Sequence, residues 1–255
     1  MSNKFSVNGK LAMVTGGSRG IGLGAARALG ESGAKLILVG RSVTALANAA
    51  QELHADGIEA EIAPYDLQET AGIAAWFDET TQRFGQPDIL VNSAGINRRG
   101  PATELSLDDW NQVMALNVTA IFELSRAFAR PLIAAGRKGK VVNIASLMTM
   151  ATRPGTSPYT ASKGAVGQLT KALAIDWASH GIHVNAVAPG YIDTELNRPL
   201  IEDPAFDAWV KKRCPLGRWG TPEDIAWPVV FLASPASDFI TGQVIYADGG
   251  WLSTF

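Results

Sequence analysis

Residues 11–22 of this 255-residue chain read LAMVTGGSRGIG, and this stretch decides the fold. Its first five residues form a short apolar run, a glycine-rich turn follows, and small and apolar residues continue at helical spacing. A strand, a glycine turn and a helix in that order begin a βαβ unit. Glycines let the backbone approach a pyrophosphate, and the start of a helix offers free N–H groups. Alone, the spacing TGxxxGxG only approximates the GxGxxG dinucleotide-binding fingerprint.

The same alternation continues along the chain. Apolar runs predict further strands at residues 35–39, 59–63, 88–91, 140–145, 183–188 and 243–246, and helical patterns occupy residues 42–56, 69–84, 107–135, about 159–179 and 222–233. Strands separated by helices predict an α/β fold, a Rossmann-type doubly wound parallel sheet of about seven strands. Because no linker, repeat or composition shift divides the chain, we expect one domain over residues 1–255.

Composition excludes several classes of function. The formal net charge is -2, the pI is near 5.9 and no basic block is present, so we expect no nucleic-acid partner. No apolar run approaches the length of a membrane span, which predicts a cytoplasmic protein without a membrane partner. Cys214 is the only cysteine, so no intrachain disulfide can form. His54, His180 and His183 lack metal-ligand spacing, and we expect no catalytic metal.

Polar residues and turn-forming residues follow directly on several apolar runs: Gly16, Asp66, Asn92, Ser146 and Pro189. In an open parallel sheet the ligand site lies beyond the carboxyl ends of the strands. We therefore expect these residues, which are far apart in sequence, to meet at one edge of the sheet.

The sequence YTASK places Tyr159 and Lys163 four residues apart at the start of a helical pattern, and thus on one helix face. A nearby positive charge lowers the pKa of a phenol from its usual value of about 10, which suits proton transfer near neutral pH. A lone YxxxK pair is more often a surface feature, so its meaning depends on the rest of the chain.

With these residues in place, essentially the whole chain resembles the short-chain dehydrogenase/reductase family. The matching elements are residues 15–22, 66–67, 92–95, 117, 146, 159–163, 189–190 and 248–250. Ser93 stands where the family usually has a second asparagine. The resemblance implies that Tyr159 exchanges a proton with the substrate oxygen and that Ser146 orients this oxygen. It also implies that Lys163 binds the nicotinamide ribose and depresses the Tyr159 pKa, and that Asn117 holds a water linking Lys163 to solvent.

The strand ends and the resemblance together assign these residues to cofactor binding: Gly16, Ser18, Arg19, Gly20, Ile21, Gly22, Arg41, Asp66, Leu67, Asn92, Ala94, Gly95, Tyr159, Lys163, Pro189, Gly190, Ile192 and Thr194. An NAD-preferring site usually has an acidic residue after the second strand. Here Arg41 follows that strand, and Arg41 and Arg19 could clamp a 2′-phosphate. The charges predict a preference for NADP(H), with NAD possible.

The substrate side is expected in the loop after the fourth strand and in a lid at about residues 191–220. The adjacent Arg98 and Arg99 could bind a carboxylate. These arginines, the Phe206-x-x-Trp209 segment and the element at residues 218–220 are similar to those of gluconate 5-dehydrogenases, which interconvert gluconate and 5-ketogluconate. We expect a sugar acid or polyol substrate, held by Arg98, Arg99, Ser146, Tyr159 and Trp209.

Two other functions are compatible with the same scaffold. A 3-oxoacyl-thioester reductase needs an apolar groove for the acyl chain, and a non-catalytic NADP-binding sensor needs no proton donor. The intact set of Asn117, Ser146, Tyr159 and Lys163 argues against the sensor. Small residues at 161, 165 and 167 permit close packing of helices, and members of the family are usually dimers or tetramers, so we expect a homotetramer.

Overall fold

The computed structural model describes residues 3–254 and contains a sheet of seven parallel strands. The strands are β1 (Leu11–Thr15), β2 (Lys35–Gly40), β3 (Ala60–Pro64), β4 (Ile89–Asn92), β5 (Gly139–Ile144), β6 (Ile182–Pro189) and β7 (Val244–Ala247). Their order in the sheet is β3-β2-β1-β4-β5-β6-β7. The order reverses between β1 and β4, where a doubly wound sheet opens a ligand crevice. The predicted seven-stranded, doubly wound fold is confirmed. Residues 1, 2 and 255 of the expected domain lie outside the described residues.

Helices cover both faces of the sheet. They are α1 (Gly20–Glu31), α2 (Val43–Ala55), α3 (Ile73–Phe84), α4 (Leu107–Met114), α5 (Ala120–Ala134), α6 (Ser157–Trp177), α7 (Arg198–Ile201), α8 (Pro204–Arg213) and α9 (Pro222–Ala233). Successive strand residues point to opposite faces. Val14 therefore packs in the core formed with α1, α2 and α9, whereas Met13 packs in the core formed with α3 and α5. Within residues 3–254, no helix is long and apolar enough to cross a membrane.

The helical segment predicted over residues 107–135 runs from Leu107 to Ala134, but it is not α-helical throughout. A π turn at Ala115–Thr119 separates α4 from α5. The fully buried Asn117 lies in this turn. Single π turns inside helices are frequent at functional sites, because the wider turn redirects side chains and backbone groups.

The segment at residues 191–220, expected to form a substrate lid, contains the ten-residue helix α8. The Asp203 carboxylate caps this helix by accepting hydrogen bonds from the backbone N–H groups of Ala205 and Phe206. Pro204 occupies the first helical position, where its missing N–H has no consequence. This helix carries Phe206 and Trp209, so the aromatic residues of the expected lid are mounted on a regular element.

Candidate active site

The glycine turn after β1 is shaped by close backbone approaches. Gly16 has a φ of 64°, and a Cβ atom there would lie 3.1 Å from the Cα of Ala94. A Cβ atom on Gly22 would lie 2.2 Å from the carbonyl oxygen of Gly16. The first turn of α1 carries no acidic residue, and Arg19, at the N-cap, makes no side-chain capping bond. The turn therefore presents free N–H groups and a positive dipole end, which fits the pyrophosphate of a dinucleotide.

A second loop, after β4, is fixed next to this turn. The Thr15 Oγ1 accepts hydrogen bonds from the backbone N–H groups of Ser93, at 2.9 Å, and Ala94, at 3.0 Å. The buried Asn92 donates from Nδ2 to Asn143 Oδ1, at 2.9 Å. No motif in the sequence indicates this individual role for Thr15. A hydroxyl side chain at the end of the first strand was the available signal.

Asn117 connects the loop after β4 to α6. Its Oδ1 accepts from the Ile96 N–H and its Nδ2 donates to the Ile96 carbonyl oxygen, both at 2.9 Å. The same Nδ2 lies 3.1 Å from Ser162 Oγ, and Ser162 in turn donates to the carbonyl oxygen of Tyr159 at 2.7 Å. The carboxamide therefore ties the position of Tyr159 to that of the loop. The expected water-holding role of Asn117 stays a prediction.

Lys163 is buried beside Tyr159, with only 4% of its surface exposed. Its Nζ donates to the carbonyl oxygen of Ile144 at 2.7 Å and lies 5.6 Å from the centroid of the Tyr159 ring. Burial disfavours the charged form, and it lowers the pKa of Lys163 from 10.5 to about 8. Helix α6 thus places the Tyr159 phenol beside an ammonium group whose pKa is close to neutral pH.

The pKa of Tyr159 is raised above its ordinary value of 10, because burial outweighs the opposing influences. A hydrogen bond with the Ser146 side chain and the positive charge of Arg99 both favour the phenolate. The structure thus reverses the direction expected from the Tyr–Lys spacing. A raised pKa keeps the phenol protonated at neutral pH, which is the form that donates a proton to a carbonyl oxygen.

Burial of Lys163 makes the stability of the fold depend on pH. Its folded pKa of about 8 lies below the ordinary 10.5, so protonated Lys163 destabilises the fold at neutral pH, by about 3 kcal/mol. This penalty is complete below pH 8 and disappears as the pH rises towards 10.5. We expect the free energy of unfolding of wild type, relative to Lys163→Met, to increase across this window in denaturant titrations.

The exposed Lys171 of the same helix is the matched control. Lys171→Met removes an exposed lysine from the same helix, so its curve shows the effect of losing a surface charge alone. If the wild type and Lys163→Met curves run parallel from pH 7.5 to about 10.5, the buried-lysine account is wrong.

The two adjacent arginines of the loop after β4 have different surroundings. Arg98 Nη2 donates to Gln112 Oε1 at 2.7 Å, and its Nε lies 3.6 Å from a carboxylate oxygen of Asp109. Arg98 is therefore engaged by α4. Arg99 donates from Nη2 to Asn197 Oδ1, at 3.2 Å, and to the Leu196 carbonyl oxygen, at 3.4 Å. Arg99 thus reaches the beginning of the expected lid.

Aromatic side chains of residues 191–251 pack together near Tyr159. The Tyr191 ring centroid lies 4.8 Å from that of Trp251 and 5.5 Å from that of Trp219. Trp219 is buried and donates from Nε1 to Asp207 Oδ1 at 2.8 Å, so it packs the lid. Trp209 is 43% exposed at the edge of this group, which leaves part of its ring available to a ligand.

Arg153 also belongs to this region, and it is not among the residues predicted from the sequence. Its Cζ lies 5.2 Å from the centroid of the Phe206 ring. Burial and the charge of Arg153 both lower the pKa of Arg99. Burial raises the pKa of Tyr191, and the charge of Arg153 opposes this rise. No spacing rule indicates such a residue. The available signal was its place as a basic residue between Ser146 and Tyr159.

The remaining residues expected to bind the cofactor gather around the glycine turn. A Cβ atom on Gly20 would lie 3.4 Å from Thr194 Cγ2, so Thr194 covers the turn. Arg19 is paired with Glu195, and Arg41 lies 3.8 Å from Asp66. Others lie on elements leading to the same edge: Ser18 and Ile21 are half-buried, Leu67, Pro189 and Ile192 are buried, and Gly190 approaches the backbone of Asp248. Within residues 3–254, no cluster of His, Cys, Asp or Glu could hold a metal.

This edge of the sheet offers a cradle for a dinucleotide and, next to it, a half-buried proton donor. These are the two contributions that a protein makes to nicotinamide-dependent oxidation and reduction, so the fold and site define an oxidoreductase of that class.

Similarity to known proteins identifies the family within this class of oxidoreductases. Residues 16–252 match the family model described as Enoyl-(Acyl carrier protein) reductase. Gluconate 5-dehydrogenase of Gluconobacter oxydans is 45% identical over 96% of both chains. The 5-keto-D-gluconate 5-reductase of Escherichia coli is 42% identical over 99% of both. A solved structure of a gluconate 5-dehydrogenase from Burkholderia cenocepacia, in complex with NADP and tartrate, is 44% identical, with a TM-score of 0.95 over 99% of this chain and 98% of that chain. The chain belongs to the short-chain dehydrogenase/reductase family and is an NAD(P)-dependent oxidoreductase acting on CH–OH groups.

Proposed function

We propose that this protein interconverts a secondary alcohol and a ketone on a sugar acid, namely gluconate and 5-ketogluconate, with NADP(H). The observation that carries the proposal is that Arg99 precedes Gly100, whose N–H donates to the carbonyl oxygen of Gly155, four residues before the proton donor Tyr159. A proton donor serves the carbonyl, and a cation next to it suits an acidic substrate. The names of the gluconate 5-dehydrogenase and 5-keto-D-gluconate 5-reductase relatives support this substrate class.

The chain's own residues provide the proton and the orientation. When bound, the nicotinamide supplies or accepts the hydride. Tyr159 gives its hydroxyl proton to the carbonyl oxygen during reduction and takes it back during oxidation. Ser146 orients this oxygen, and the Lys163 ammonium stabilises the phenolate that forms when Tyr159 loses its proton. Asn117 fixes the position of Tyr159 through Ser162, so the donor does not reorganise during the reaction.

The preference for NADP(H) rests on charge at the end of β2. Arg41 follows Gly40 there, where an NAD-preferring site usually has a carboxylate for the ribose hydroxyls. A guanidinium attracts a phosphate group and can bind it through two parallel hydrogen bonds. The NADP-bound structure of the Burkholderia cenocepacia relative supports the same cofactor. Arg19, on the glycine turn, is the proposed second cation.

Arg41→Ala should raise the Kd for NADPH about 10- to 100-fold, because a charge-assisted contact to the 2′-phosphate is lost. The Kd for NADH should change much less, since NADH lacks this phosphate. Fluorescence titration of each reduced dinucleotide measures both constants. Arg27→Ala is the control, because Arg27 pairs with Asp56 and Glu52 on the surface of α2. An equal loss of affinity for both dinucleotides in Arg41→Ala would contradict the assignment.

A substrate panel tests the proposed reaction. Absorbance at the nicotinamide band is followed with gluconate, 5-ketogluconate, polyols and an acetoacetyl thioester, each with NADP(H) and NAD(H). The proposal expects the highest kcat/KM for the gluconate and 5-ketogluconate pair with NADP(H). A higher value for the acetoacetyl thioester would establish the 3-oxoacyl-thioester alternative instead.

We also propose a cytoplasmic homotetramer of single-domain chains in which residues 191–220 form the substrate lid. Large apolar side chains are exposed on two separate regions: Phe122 and Ile175 on α5 and α6, and Trp227 and Phe239 near the edge strand β7. Two such regions support two kinds of dimer contact and so a tetramer. Of the small residues considered, Gly167 faces Thr149 within the chain. A monomer mass in light scattering would refute the assembly.

A further inference from the structure

Two loops of different origin meet at the mouth of the site. The N–H of Gly100, in the loop after β4, donates to the carbonyl oxygen of Gly155, in the loop before α6, at 3.2 Å. Gly155 has a φ of 73°, a conformation that side-chain-bearing residues rarely adopt. Arg99 immediately precedes this joint on one loop, and Arg153 lies two residues before it on the other. The backbone therefore sets the two arginines next to each other.

Both arginines also reach the lid. Arg153 lies over the Phe206 ring of α8, and Phe206 packs edge-on against Tyr191 at a centroid distance of 5.8 Å. Arg99 is hydrogen-bonded to Asn197. The charges of both arginines act on Tyr191, and that of Arg99 acts on Tyr159 as well. The two cations and the proton donor therefore belong to one region.

Neither cation is neutralised within residues 3–254, because no carboxylate oxygen lies within 4.0 Å of either guanidinium. Arg98, by contrast, has Asp109. Repulsion by Arg153 and partial burial lower the pKa of Arg99. Two neighbouring like charges raise the energy of the site until an anion is placed near both. A carboxylate suits this position, because its two oxygens can accept from two planar guanidinium groups.

We propose that Arg153 and Arg99 together bind the carboxylate of the acid substrate, and that Arg153 is the residue that selects acids over neutral sugars. The proposal rests on the proposed function and deepens it. Holding the carboxylate at the joint between the two loops leaves the carbonyl end of the same molecule to Tyr159. Without this contact the site would keep its proton donor but would no longer favour a charged substrate over a neutral one.

The test compares 5-ketogluconate with L-sorbose, in which a hydroxymethyl group replaces the carboxylate. For Arg153→Ala we expect kcat/KM on 5-ketogluconate to fall about 10- to 100-fold, mainly through KM, because a charge-assisted contact is lost. The value on L-sorbose should stay close to wild type. Arg153→Lys should recover part of the loss, since it restores charge without the bidentate geometry. Arg137→Ala is the matched control, because Arg137 pairs with Asp88 at the start of β4, at the opposite end of the strand from the site, and it should leave the ratio of the two substrates unchanged.

A parallel loss on both substrates in Arg153→Ala would show that Arg153 only supports the lid, and this would overturn the proposal. Absence of wild-type activity on 5-ketogluconate would instead refute the proposed function. In that case calorimetric binding of tartrate to the NADP-saturated protein decides the inference independently of turnover. Binding that weakens in Arg153→Ala and not in Arg137→Ala supports the carboxylate site. Equal binding in both variants, or none to wild type, overturns it.

Discussion

Tyr159→Phe is expected to lower kcat for 5-ketogluconate reduction by about 10²- to 10⁴-fold, which is the usual contribution of a positioned general acid. The change removes a single oxygen and leaves the ring, so the packing of α6 against the lid is kept. Affinity for NADPH should be nearly unchanged, because the glycine turn and Arg41 are untouched. Steady-state kinetics and a dinucleotide fluorescence titration measure the two quantities.

Tyr65→Phe is the matched control for this variant. The Tyr65 hydroxyl donates to the Glu69 carbonyl oxygen, beyond β3, and takes no part in the site. Its loss should leave kcat at the wild-type level. If Tyr159→Phe also retained near-normal turnover, the proton would have another source, and the proposed chemistry would be wrong.

The sheet could be predicted from sequence because its signals are local. Strands β1, β2, β4 and β5 are apolar runs that are largely buried on both faces, and each is followed by a turn and a helical pattern. Parallel pairing then brings the strand ends to one edge, as Thr15 opposite Asn92 illustrates. Tyr159 and Lys163 were recognisable for the same reason, since their neighbourhood on a helix face follows from a spacing of four residues.

The parts that could not be predicted depend on contacts between distant segments. The π turn around Asn117 is accompanied by bonds to Ile96, a residue 21 positions earlier. Arg98 and Arg99 are equivalent in sequence, yet one pairs with α4 and the other with the lid. The role proposed for Arg153 depends on the hydrogen bond between Gly100 and Gly155, which brings its loop next to that of Arg99. A charged residue in a sequence indicates that a ligand of opposite charge could bind there. Only the structure shows whether a partner within the chain already neutralises that charge.

The reversed direction of the Tyr159 pKa has a similar origin. Spacing shows that an ammonium group is near, but it does not show how deeply both groups are buried. In the structure desolvation is the largest influence on Tyr159 and on Lys163, and it disfavours the charged form of each. The pair is thus poised with the phenol neutral, in the form required for ketone reduction.

Gly22→Ala is expected to raise the Kd for NADPH by about 100-fold, since a displacement of about 1 Å in a binding cradle has effects of that size. The added methyl group would lie 2.2 Å from the Gly16 carbonyl oxygen and 2.7 Å from the Gly16 carbonyl carbon. Both atoms belong to the backbone, so no side chain can rotate away. The turn must open, and its N–H groups then no longer converge. Overpacking should also lower the free energy of unfolding by about 1–3 kcal/mol.

Gly164→Ala separates this close approach from the general effect of replacing a helical glycine. Gly164 lies inside α6, and a Cβ atom there would meet no heavy atom within 4 Å. Alanine at such a position should stabilise the helix by about 0.5–1 kcal/mol and leave NADPH affinity unchanged. Neither glycine has a positive φ, so backbone strain affects neither variant. If Gly22→Ala bound NADPH as tightly as Gly164→Ala, the contact between Gly22 and Gly16 would not be what shapes the cofactor cradle.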